Sequence, residues 1–139
     1  MKIEFVRSND LLLSSHAGLT TVGALLSQTK LNKRLNTSKV RGMKHPLNSH
    51  SDVMKSYIGL LCQGKSDFDH IEPFRKDEVF SLGLQLKKVP SSPTLRQRFD
   101  RAAETPQWQT ILLEESADLI KRTQTPVTGL EAGAKVYVP

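Results

Sequence analysis

The chain has 139 residues, 37% of them hydrophobic and 24% charged, which fits one globular domain with a core and excludes a disordered polar chain. Twenty Lys and Arg against fourteen Asp and Glu give a formal charge of +6 and turn attention to anionic partners. A lone cysteine, Cys62, excludes an internal disulfide framework and reads as a small buried hydrophobe, and no apolar run approaches the roughly 18 residues of a membrane span or the leader of a secreted chain, so a cytoplasmic protein without membrane contact is expected.

Residues 2–7 alternate, with Ile3 and Phe5 on one side, and predict a short edge strand. From Ala17 to about Thr29 the spacing of Leu19, Val22, Leu25 and Leu26 is helical, and Leu31 with Leu35 marks a second short helix. Across residues 36–51 apolar side chains thin out to Val40, Met43 and Leu47, Gly42 and Pro46 interrupt, and a mobile basic loop is expected. Ser51 is placed to cap a helix with Val53, Met54, Tyr57, Ile58 and Leu61 inward, Leu60 and Cys62 at its edges, and Gly64 as its end. Phe68 and Ile71 suit a short helix stopped by Pro73, and residues 76–86 offer another with Val79, Phe80 and Leu84 inward.

A break at Pro90 and Ser91 follows. Ser92 then caps, and Pro93 opens, a helix reaching about Glu104, because the hydroxyl can accept from free N–H groups while proline at the first position wastes no donor. Pro106 starts a longer helix with Trp108, Ile111, Leu112, Leu119 and Ile120 inward. The tail is turn-rich until residues 135–138 alternate as a second strand. The fold class is therefore mainly α: a small helical domain over residues 1–124, a helix-turn-helix-like segment over 68–104, a short strand at each end, and a linker over 125–139 leading to a further domain.

Positive charge is clustered. Residues 30–55 carry seven Lys and Arg (Lys30, Lys33, Arg34, Lys39, Arg41, Lys44, Lys55) against Asp52, and residues 80–103 carry five against one. On the helix after Ser92, Leu95, Phe99 and Ala102 take one side, leaving Thr94, Gln97 and Arg101, flanked by Arg96 and Arg98, to reach phosphates or base edges. With Lys39, Arg41 and Lys44 of the loop these are the candidate DNA-binding residues. Ordinary solvated surface is the alternative for both islands.

Catalytic patterns fail. None of His16, His45, His50 and His70 has zinc-ligand spacing, no glycine-rich loop or nucleophile motif occurs, and Asp67, Asp69 and Glu72 read as helix N-terminal acids rather than a metal site. No catalytic residue, metal ligand or cofactor is expected.

Three stretches, "SSHAGLTTVGALL", "MKSYIGLLCQGKSDFDHIEPFRKDEVF" and "VPSSPTLRQRFDR", resemble the N-terminal region of DDE-type transposases of insertion-sequence group 1380. The resemblance spans most of residues 12–103, with Gly59 to Gly64, Asp67 to Ile71, Arg75 to Phe80 and Pro90 to Phe99 in the family's places; nothing in 36–51 matches. It implies binding to the terminal inverted repeats of a mobile element as double-stranded DNA. In the whole enzyme it implies strand transfer by three carboxylates with Mg²⁺. The first of those carboxylates is expected just after "AKVYVP", so none of them lies in this chain and no enzyme activity is expected of it. A homodimer paired through the helices at 51–64 and 106–122 is the rival reading.

Overall fold

The computed structural model describes residues 15–43 and 46–123. Among them the chain forms α1 (Leu19–Ser27), α2 (Leu31–Thr37), α3 (His50–Cys62), a 3-10 helix (Phe68–Lys76), α4 (Glu78–Gly83), α5 (Ser92–Ala103) and α6 (Gln107–Thr123), with no strand. The mainly helical class is as expected. Both expected strands, the linker at 125–139 and Lys44 lie outside the described residues. No helix among the described residues is long and apolar enough to cross a membrane.

The core forms around α3, which packs on α1, α2, α5 and the 3-10 helix. Of the expected stripe Val53 and Met54 are buried and Tyr57 and Ile58 pack half-buried on the core, but Leu61 is 49% exposed and Leu60, expected at the edge, is fully buried. The small residues Ser56 and Gly59 are buried beside it. A Cβ on Gly59 would lie 2.5 Å from Leu84 Cδ1 and 3.0 Å from Phe80 Cζ, so Gly59 is the gap that admits α4's large side chains. Cys62, one step beyond Leu61, is exposed and not buried.

The start of α3 corrects another expectation. Ser49, not Ser51, is the cap, accepting from the Asp52 N–H at 3.0 Å. Ser51 lies inside the helix and buried, clasped by the Asn36 side chain, which accepts from its N–H at 2.9 Å and donates to its hydroxyl at 3.0 Å. At the other end Gly64, at φ +69°, makes the left-handed turn that lets the Lys65 N–H return to the Leu60 carbonyl at 2.9 Å, the closure expected there.

An aromatic cluster ties the second half together. Phe99 of α5 stacks on Phe68 with centroids 5.5 Å apart and meets Tyr57 at 5.0 Å and Trp108 at 5.8 Å, joining the 3-10 helix, α3 and α6. Pro73 does not stop the 3-10 helix, which runs through it to Lys76. On α6 Trp108 and Ile111 are buried as expected, Ile120 is 49% exposed, and Glu115 takes an inner position. There it accepts from the Lys30 N–H at 2.9 Å and from Arg34 at 2.9 Å, tying α6 to α2.

The α1–α4 contact is the tightest. A Cβ on Gly23 would stand 1.8 Å from the Gly83 carbonyl oxygen, so the two backbones touch where no side chain fits. Gly23→Ala is expected to lower stability by about 1–3 kcal/mol by overpacking. Gly18→Ala, with nothing within 4 Å, should leave it nearly unchanged. Equal melting temperatures for the two variants would show that α1 and α4 do not approach this closely.

Candidate nucleic-acid interface

The connection ahead of α5 is longer than the expected helix-turn-helix calls for. Eight residues, 84–91, separate α4 from α5, against the three- or four-residue turn of that motif. α5 packs on the 3-10 helix, α3 and α6. The long connection is held by a buried cation, Lys55, whose Nζ donates to the Gln85 carbonyl at 2.7 Å and lies 3.6 Å from Asp52. Lys55 therefore drops out of the surface charge of its island, and burial lowers its pKa against the pull of Asp52.

The start of α5 is built from carboxylates across the chain. Ser91 is the cap residue, but the Ser92 N–H is satisfied by Glu72 at 2.8 Å, and the Ser92 hydroxyl donates to Asp69. Ser92 is thus the recipient of a cap rather than its donor. The Ser92 N–H, with Arg75 beside it, holds the Glu72 carboxyl below its usual range. This accounts for the acidic cluster, and no group of three or more His, Cys, Asp and Glu among the described residues could hold a metal ion.

The expected α5 contacts separate into three kinds. Gln97 is exposed and Arg101 half-buried with its guanidinium at the surface loop. Thr94 and Arg96 are engaged locally: the Thr94 hydroxyl meets Ser91 at 2.9 Å, and Arg96 lies over the Phe68 ring, 3.7 Å from Asp69. Arg98 is the correction. It is 2% exposed, turned inward between Leu95 and Ala102, and cannot reach DNA. Its two terminal nitrogens donate to the Asn48 carbonyl at 3.2 Å each, and Nη1 also donates to His50 Nδ1 at 2.8 Å. No carboxylate pairs with it among the described residues, and burial followed by the nearby Arg101 lowers its pKa.

Arg98 anchors the basic loop. His50 meets the Trp108 ring edge-on at 5.6 Å, and Trp108 Nε1 donates to Ser38 Oγ at 2.9 Å, so both ends of the loop, Ser38 and Asn48, are fixed to α5 and α6. Val40 is buried and Met43 packs on the core. The described residues of the loop are thus tied to the core at both ends and through Val40 and Met43. The anchoring brings the two basic islands together: a Cβ on Gly42 would lie 3.7 Å from Arg101 Nη1, and Arg41 is 3.8 Å from Glu104. Arg41 is 86% exposed, and so open a pair contributes little and exchanges readily for another anion. Lys39 is exposed beside them.

No known relative was found. Comparison with known proteins gave no matching family model, curated protein or solved structure.

Sequence reasoning missed Arg98, His50 and Trp108 as one unit, although Arg98 stands three residues after Leu95 and four before Ala102, inside the apolar stripe. Because its Nδ1 accepts from Arg98, His50 is neutral in the fold, and its pKa falls to about 4 by burial and by Arg98. A folded pKa below the unfolded value of about 6.5 means that stability is full above pH ~6.5 and is lost as pH falls toward 4. Between pH 7 and pH 5 the wild type should lose about 2 kcal/mol relative to His50→Gln in denaturant titrations. Parallel pH profiles would remove His50 from the network. Separately, Arg98→Ala should lower the melting temperature by several degrees, leaving the buried Asn48 carbonyl without its donor, while Arg96→Ala should barely move it.

Proposed function

We propose that this chain is a sequence-specific duplex-DNA-binding module, acting as the N-terminal part of a DDE-type transposase on the terminal inverted repeats of its element. The observation that carries the reading is the meeting of two sequence-distant basic islands, Lys39 and Arg41 of the loop with Arg101 of α5, held together by buried Arg98. In this reading α5 is the reader, in a helix-turn-helix-like arrangement with a lengthened turn. Gln97 and Arg101 face base edges, and Lys39 and Arg41 hold phosphate. Arg98 positions the loop without touching DNA. Cutting and joining, with the Mg²⁺ they require, belong to carboxylates of the whole enzyme and not to this module.

The subunit-pairing reading has less to stand on. Residues 51–56 of α3 are all buried, so its first two turns have little surface to offer a partner. What remains for it is Leu61 at the end of α3 and Leu113 and Ile120 on α6, the most exposed of them Leu113 at 72%.

Binding should fall steeply with salt, because phosphate-bound Lys and Arg release counterions; about 5 phosphate contacts give a log–log slope near −4.5. Gln97→Ala and Arg101→Ala should each cost roughly 1–3 kcal/mol on the inverted repeat with little effect on random duplex, whereas Lys39→Gln with Arg41→Gln weakens both alike. Fluorescence anisotropy across a salt series reads all of these. Salt-independent affinity, or a preference for the repeat that survives both α5 changes, overturns the reading.

A further inference from the structure

α2 is charged against its own electrostatics. Its N-terminal flank is Lys30, Lys33 and Arg34 follow within its first turns, and no acid stands in the first turn. Cations at a helix N-terminus oppose the dipole, and like charges three residues apart repel, each by some tenths of a kcal/mol. Glu115 offsets part of this by accepting from the Lys30 N–H and from Arg34. The ammonium groups of Lys30, Lys33 and Lys39 have no carboxylate partner among the described residues.

These cations border an open groove of about 870 Å³ between α2 and the first turns of α6, lined by Lys30, Lys33, Arg34 and Lys39 on one side and by Gln107 and Thr110 on the other. No carboxylate lines it. At its end Ser38 and Lys39 also line a second recess of about 550 Å³ that includes Gly42, the residue beside Arg101. The cationic surface thus continues from Lys30 through Lys39 to Arg101.

The geometry points to a phosphodiester-backbone site in this groove, forming with the α5–loop surface one continuous track for a single duplex. The inference rests on the DNA reading above. The occupant is chosen by charge: Lys30, Lys33 and Lys39 bring three ammonium groups without a carboxylate partner among the described residues to a groove that no carboxylate lines, beside an apolar surface that includes Pro106 and Ile111, and the carboxylates of Glu114, Glu115 and Asp118 border a separate recess on the other side of Lys30 and Arg34. Gln107 can donate to phosphate oxygens at the opposite wall, where the Thr110 hydroxyl is already given to the Pro106 carbonyl.

The test uses the whole chain and labelled duplex in a salt series. Lys30→Gln with Lys33→Gln should weaken binding to specific and random duplex alike, by tenfold or more near 0.1 M salt, and make the log–log slope shallower by about 2. Its melting temperature should stay level or rise, since both side chains are exposed and their charge opposes the α2 dipole. An unchanged slope in this variant, with Arg101→Ala still weakening the specific duplex, overturns the groove and leaves the α5 reading in place. Weakening by the Lys30 and Lys33 changes, with no effect of Gln97, Arg101 or Arg41, supports the groove and overturns the α5 reading. Poly-glutamate binding the wild type more tightly than duplex of equal charge gives the groove to an acidic protein and overturns the inference, as does an absence of duplex binding at low salt.

Discussion

A guanidinium buried among neutral acceptors is the constraint on which the arrangement depends. Arg98 satisfies most of its donors on one carbonyl and one imidazole, Asn48 and His50, and its Nε has no acceptor among the described residues. Desolvating a cation without a counter-charge is unfavourable, and the cost is tolerable only if these partners keep their places. That requirement propagates outward. His50 must remain neutral, Trp108 must stand at its edge, and Ser38 must meet the indole N–H. A loop with few apolar residues is thereby held at both ends without a strand or a disulfide.

The helices were legible in the sequence because their apolar residues repeat at three and four. Leu31 with Leu35, and Leu95 with Phe99 and Ala102, are inward as their spacing requires. What the pattern misjudged were positions where residue type and location disagree. Charge argued Arg98 and Lys55 outward, yet both occupy inner positions and are satisfied by backbone carbonyls that no local rule could supply. Gly59 carries no hydrophobic signal, yet it lies inward, because the space it leaves is what Phe80 and Leu84 fill. Caps failed for a related reason. Ser51 and Ser92 have capping side chains, but tertiary partners, Asn36 in one case and Asp69 with Glu72 in the other, took over their hydrogen bonds.

The candidate surface was legible in composition and not in membership. Two basic islands could be counted from the chain, and Lys39, Arg41, Gln97 and Arg101 remain accessible in the fold. That the islands touch follows from packing of α3 and α6 between them, a long-range relation that sequence spacing does not encode.

The carboxylates at the start of α5 have a consequence for direction. Asp69 and Glu72 neutralise the positive end of the helix dipole, the end at which a polyanion is ordinarily drawn to a helix. Arg101 sits at the opposite end, close to Arg41. The positive end of this helix is thus taken up by the chain's own carboxylates, while Arg101 sets a positive charge at the end where the backbone carries the negative one.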